Sequence, residues 1–219
     1  MDSGELLAQL RLELRDTVTP YLWEDAELYR YIDEAQKTFC RLTGGLADAT
    51  SSVARLNLRA GSRYAVLSPL VIKLRAAFDG DGKKLEIINF EDLEFDGSGG
   101  VALFTDIPGG AVKQLVVGME PNRVRVINTP TADEVVSLIV YRYPLDSIVG
   151  EGQELEVDEQ HHLHLLKWAK HLAHLKSDAE TFDRGRAAQN KAEFEQYCFM
   201  AKGEKGQREH KYRGVQFSW

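Results

Sequence analysis

Cysteine is nearly missing. Two occur in 219 residues, Cys40 and Cys198, on helix-patterned segments at opposite ends of the chain. That excludes a disulfide-stapled scaffold, and both read as small buried hydrophobes in a reducing compartment rather than as a bridged pair. Long apolar runs are lacking too. None approaches the roughly 20 residues that a membrane helix needs. Met1 to Glu5 lacks the basic and apolar regions of a signal peptide, so the cytosol is the expected compartment. Positive charge is in deficit, with 27 Lys and Arg against 34 Asp and Glu and a net charge of −7. A general nucleic-acid binder needs a basic footprint, whereas an acidic surface lets a polyanion pass without holding it. Serines are few, and none sits in a Gly-x-Ser-x-Gly elbow. Neither cysteine has the electropositive surroundings that activate a thiol. No catalytic residue is assigned.

What is present is helix at both ends and strand between. Leu6, Leu7, Leu10, Leu14 and Val18 recur at helical spacing over residues 3–18, with Asp2 or Ser3 as the cap and Thr19-Pro20 as the stop. A second helix is expected from Asp25 to Leu42, with Leu28, Ile32, Ala35, Phe39 and Leu42 on its buried face. Thr43-Gly44-Gly45 ends it. From about Ser52 to Tyr143 the period falls to two. Strands are read at Val53 to Leu58, Tyr64 to Leu67, Val71 to Arg75, Leu115 to Val117, Val124 to Ile127 and Val135 to Tyr143. Asp79-Gly80-Asp81-Gly82 is a turn, and Asn89 to Phe95 reads as a helical turn or strand. Such a series suggests an antiparallel sandwich or small barrel.

Helix returns at Asp158, with Leu165, Trp168, Ala169, Leu172 and Leu175 on one face. Ser177-x-x-Glu180 has the form of a capping box, so a fourth helix is expected to start near Asp178. Ala187, Phe194, Tyr197, Cys198 and Ala201 form its stripe, and Gly203 with Gly206 ends it. The expected class is α+β. A helical bundle made from N- and C-terminal helix pairs (residues 1–45 and 151–202) carries an inserted antiparallel β domain (46–150) and an extended tail (203–219).

Two motifs have bland readings that prevail. His161, His162, His164, His171 and His174 all lie on the third helix, and His164, His171 and His174 share a side. A zinc site would want these plus a carboxylate such as Asp178, but Lys167 in the same stripe would repel a dication. A polar helix face is favoured, and no metal or cofactor is assigned. Gly97-Ser98-Gly99-Gly100 fits the glycines of a dinucleotide-binding turn, yet Val101 to Thr105 favours strand where that motif needs a helix. A flexible loop is favoured, and the carboxylates of Glu151 to Glu159 read as a solvated acidic link.

The tail differs from all of this. Lys205, Arg208, Lys211 and Arg213 alternate with Tyr212, Val215, Phe217 and Trp219. Tyr, Trp and Arg are enriched at interface hot spots. Docking on a partner protein, through Lys211, Tyr212, Arg213, Val215, Phe217 and Trp219, is therefore favoured over a frayed end or contact with nucleic acid.

Three segments resemble the head-to-tail adaptor proteins of tailed bacteriophages, also called neck, connector or head-completion proteins. They are Trp23 to Gln36, Ile139-Val140-Tyr141-Arg142-Tyr143-Pro144, and Val157 to Phe182 with its Trp168-Ala169. Glu24 stands where that family usually has Ser or a similar cap. The resemblance implies a non-enzymatic virion protein, assembled in the host cytoplasm. It implies a dodecameric ring beneath the portal, with C-terminal extensions docked on the portal protein and the next tail or neck component on the distal face. Packaged DNA is retained and passes through the lumen without specific binding. The alternatives from other classes are a DNA-binding packaging-accessory protein and a metal-dependent hydrolase built on the histidine helix.

Overall fold

Asp2 opens the first helix as the sequence suggests. Its side chain accepts from the Glu5 N–H at 2.8 Å, and the Glu5 carboxylate accepts from the Asp2 N–H at 3.1 Å. This reciprocal box satisfies two otherwise orphaned donors. In the computed structural model, which describes residues 1–92, 112–177 and 180–209, this helix α1 spans Ser3–Leu14. It stops short of Val18, which is 78% exposed. The reason is local. Arg15 takes a left-handed conformation (φ 60°), and the Asp16 N–H closes back on the Arg11 carbonyl. Asp16 then turns inward to accept from the N–H of Leu22 at 2.9 Å.

Helix α2 spans Asp25–Thr43 and buries Leu28, Ile32, Ala35 and Phe39. Glu24 makes no side-chain cap bond, as expected of a residue too long to reach back to the first turn. At the other end Gly44 adopts φ 90°, where a side chain would strain the backbone. Helix α3 spans His162–His174 after one turn of 3₁₀ helix at Glu159–His161. Helix α4 spans Arg184–Glu209. It starts later than Asp178, where Asp183 caps it by accepting from the Arg186 N–H at 2.9 Å. Gly203 and Gly206 do not end it. Both are helical, because a glycine costs a helix interior only about 1 kcal/mol and neighbouring turns outweigh that.

The chain divides into two compact units, residues 1–45 with 144–219, and residues 46–143. The class is mixed α and β, with four α-helices and a curled sheet among the described residues. In the first unit the helices meet through named contacts. Trp23 Nε1 donates to the Ala173 carbonyl of α3 at 3.2 Å. Lys170 Nζ meets Glu13 of α1 at 2.6 Å, and Lys176 Nζ meets Glu27 of α2 at 2.9 Å. Leu6, Leu10, Leu28, Ile32, Leu165, Leu166 and Phe194 are wholly buried. Each such side chain contributes roughly 1.5–3 kcal/mol.

The acidic link before α3 is more than a solvated connector. Leu155 and Val157 point inward while Glu154, Glu156 and Asp158 face out, an alternation of strand type. Ser3 ties it to α1, donating its hydroxyl to the Gly150 carbonyl at 2.7 Å and its N–H to the Gln153 carbonyl at 2.9 Å.

Among the described residues the second unit has eight strands, β1 Leu46–Asp48, β2 Arg55–Leu58, β3 Tyr64–Val66, β4 Val71–Phe78, β5 Lys84–Asn89, β6 Gln114–Glu120, β7 Arg123–Ile127 and β8 Glu134–Arg142. Their order is β1-β8-β4-β5-β6-β7-β3, with β2 also on β8. The long strand β8 is the spine. It pairs antiparallel with β4 on one edge, and with β1 and then β2 along the other. The Asp79-Gly80-Asp81-Gly82 turn joins β4 to β5, with Asp79 Oδ1 accepting from the N–H groups of Asp81 and Lys83.

Two strands escape the sequence pattern. Leu46–Asp48 is too short to show a period, and Lys84–Asn89 follows a charged start with alternation broken by adjacent isoleucines. The pairing of β5 with β6 is parallel, so the sheet is not purely antiparallel. Parallel neighbours need a crossover rather than a hairpin, and consecutive strands read from sequence default to hairpins. The Asn89 region resolves as a 3₁₀ turn, Phe90–Asp92. Residues 97–105, read as a glycine loop and a strand, lie outside the described residues.

Candidate functional site

Of the residues picked for docking, Lys211, Tyr212, Arg213, Val215, Phe217 and Trp219 all lie outside the described residues. What the structure describes is the helix that precedes them in the chain, α4. The C-terminal half of α4 is anchored inward by Cys198 and Ala201, both buried, and by Lys205, whose Nζ donates to the Gly45 carbonyl at 2.5 Å. Its outward side carries Phe199, 80% exposed, and Met200, 51% exposed. A phenylalanine that is four-fifths exposed is unusual on a helix whose opposite face is packed, and it extends the apolar character of the tail onto the helix. Sequence reasoning passed it over because it follows the buried stripe. The signal was available: a large apolar side chain just off the stripe of Phe194, Cys198 and Ala201 has to point outward.

The histidines are not a solvated polar face. His162 and His174 are buried, and the others are half-buried. His162 Nε2 donates to the Val157 carbonyl at 2.8 Å. His171 Nδ1 lies 2.9 Å from the Ala187 carbonyl and donates to it, and its ring leans on Trp168 with centroids 4.9 Å apart. His161 and His164 both contact Tyr197 of α4. The stripe is thus a packing seam between α3 and α4. Burial holds the imidazoles of His161, His164 and His174 below their ordinary value.

Lys167 lies beside that seam and pairs with Glu193 at 2.6 Å. Asp178, the carboxylate a zinc site would have used, is outside the described residues. Among the described residues no group of three His, Cys, Asp or Glu is placed to hold a metal ion. Cys40 and Cys198 are both buried and unbridged. Burial pushes the Cys198 thiol up to about 12, which leaves it protonated and inert as a nucleophile.

Two shallow depressions lie on the described surface. One, of about 360 Å³, is lined by Met1, Asp2, Glu154 to Glu159 and His162. Met1 closes one side, its ammonium 2.9 Å from Glu159. The other, of about 430 Å³, is lined by Arg75 and Lys84 to Ile87 on the sheet. Neither brings a nucleophile and a base together. No helix among the described residues is long and apolar enough to cross a membrane.

The arrangement defines a class first: a scaffold of one helical unit and one sheet unit, with an outward apolar face on α4 suited to binding other proteins. The family model of the SU10 adaptor protein matches residues 1–211, and the chain belongs to that family. It is a structural adaptor of bacteriophage virions. No curated protein matches the chain significantly.

Proposed function

We propose that the chain is the subunit of a ring beneath the portal that joins head to tail and retains packaged DNA. In this reading the four helices act as a bundle that carries the sheet unit as an insertion and ends in an extended tail. Lys211, Tyr212, Arg213, Val215, Phe217 and Trp219 dock on the portal protein, and the next tail or neck component binds the distal face. The ring has twelve copies, as in the head-to-tail adaptors that the sequence resembles, and the net charge of −7 gives a lumen lined mainly by carboxylates. Such a wall repels phosphate and leaves DNA mobile during ejection.

One observation carries the reading: adaptor-family membership over residues 1–211. It fits the apolar outward face of α4, with Phe199 and Met200, immediately before the aromatic tail. The test is assembly. Light scattering of the isolated protein is expected to show mostly monomer, and mixing with the portal of its own phage a ring-sized complex. Failure to associate with that portal across a salt series sinks the reading.

A further inference from the structure

Two histidines at the start of α3 meet one tyrosine at the midpoint of α4. His164 stacks on Tyr197 with ring centroids 3.5 Å apart and planes within 12°. His161 meets the same ring edge-on at 5.8 Å, and its Nδ1 lies 2.8 Å from the Tyr197 hydroxyl. On its other side His161 touches Phe39 of α2, with centroids 4.7 Å apart. Side chains from α2 and α4 therefore meet these imidazoles, at the point where α4 enters its C-terminal half.

We propose that these two imidazoles form a pH-set latch: while neutral they hold the C-terminal half of α4 against α2 and α3, and when charged they release it, freeing the base of the C-terminal tail. The surroundings favour the neutral form. From α2 the neighbour is the apolar Phe39. From the turn before α3 come Gln160, whose amide nitrogen lies 3.2 Å from His161 Nε2, and Asp158. From α3 comes Lys167, and from α4 come Tyr197, Glu204 and Arg208.

For His161 burial is the largest influence and opposes charge. Asp158 and Glu204 favour the charge, while His164 and Arg208 oppose it, and the balance lies below the ordinary value. For His164 burial and then Lys167 both oppose charge. An imidazolium on the Tyr197 face would recover some cation–π attraction, but it would then sit beside Lys167 and a second charged ring.

The sign follows from linkage. Both groups are harder to protonate when folded than when unfolded. Their contribution is fully present above the unfolded value of about 6.5, and it is lost as pH falls from there through the folded values. Because both rings bear on Tyr197 of α4, the loss falls first on the stretch of that helix from Tyr197 onward.

The test is amide hydrogen exchange on the full-length chain at pH 7.5 and 5.5, corrected for intrinsic rates. Expected is a selective loss of protection at pH 5.5 over Tyr197–Gln207, with Arg186–Phe194 little changed. The double variant His161→Asn, His164→Asn, which cannot titrate there, should lose the pH dependence. Uniform loss along α4, or the same selective loss in the variant, overturns the latch. Should the variant fail to fold, NMR titration of the histidine ring protons in the wild type decides: values below about 6.5 for both support it, and ordinary or raised values refute it. No portal is needed, so failure here and failure of the portal reading show separately.

Discussion

Arg11 and Asp16 form a buried ion pair, Nη1 to Oδ2 at 2.5 Å, with side chains 9% and 2% exposed. Asp16 is further satisfied by the N–H groups of Leu22 and Trp23. Arg11 also reaches the Trp23 carbonyl at 2.9 Å and the outer carboxylate of Asp25. The pair therefore shapes the whole link from α1 to α2. It offsets the roughly 1–2 kcal/mol that a left-handed Arg15 costs.

Removing one partner of such a pair leaves a buried charge and orphaned N–H donors, a loss of about 3–5 kcal/mol. Asp16→Ala is expected near 3 kcal/mol, at the low end of that range, because Asp25 still engages Arg11. Asp25→Ala removes the partner that is 59% exposed and should cost no more than about 1 kcal/mol. Urea denaturation of both variants checks the contrast. Equal losses would show that burial does not decide the strength of this network.

In the sheet unit, Asp48 of β1 pairs with Arg142 of β8, with side chains 4% and 10% exposed. Burial alone would raise the Asp48 carboxyl. Hydrogen bonds from Ser51, Arg142 and the Thr50 N–H outweigh burial and hold it well below the ordinary carboxylate range. A depressed carboxyl contributes stability that is present above its unfolded value of about 3.9 and is lost as pH falls through the folded value. The stability gap between wild type and Asp48→Asn should be constant above about pH 5 and shrink below pH 4. Denaturation curves from pH 7 to pH 2 measure it. A gap that widens on acidification would contradict the assignment.

The strong periodicities were legible. The α2 stripe, its Gly44 stop, the Asp2 cap and the burial of Phe194, Cys198 and Ala201 each follow from spacing and cap chemistry that act within a few residues. What escaped was tertiary. Asp16 ends α1 early by reaching partners between α1 and α2, which no local pattern displays. Gly203 and Gly206 read as helix stops because glycine is a poor helix former, but Lys205 bound to Gly45 lies between them. The histidines read as a polar face because imidazole is polar, while ring stacking and carbonyl hydrogen bonds let them pack inside. The candidate docking residues were chosen on composition, and that choice stands as a proposal.

Thiol chemistry offers a direct check on the interior. Cys40 and Cys198 are 0% and 1% exposed, and burial pushes the Cys198 thiol up to about 12. At pH 8 almost none of it is thiolate, and a reagent has no path to it. A chromogenic disulfide reagent is expected to label neither cysteine in the folded protein, and both at once in denaturant. Fast labelling of Cys198 in the folded state would mean that α4 opens around it far more readily than its packing implies.

The last prediction separates the tail from the helix that bears it. Cutting after Lys202 removes about two turns of α4 together with the Lys205 bond to Gly45, so that truncation should lower stability as well as binding. Cutting after Glu209 keeps every described contact of α4 and removes only the segment with Lys211, Tyr212, Arg213, Val215, Phe217 and Trp219. Its unfolding free energy should stay within about 0.5 kcal/mol of the full chain, while portal binding is lost. Within the full chain, Trp219→Ala or Phe217→Ala should each cost about 2–4 kcal/mol at the interface, roughly 30- to 1,000-fold in affinity. Lys211 and Arg213 should matter more to specificity and to the salt dependence of association. Repetition around a ring multiplies each loss through avidity, so the assembled complex should be more sensitive than a single copy. Calorimetry of the Glu209 truncation, paired with binding to immobilised portal, is the measurement. A stable truncated chain that still binds portal at full affinity would move the contact off the tail and onto the surface of α4 around Phe199.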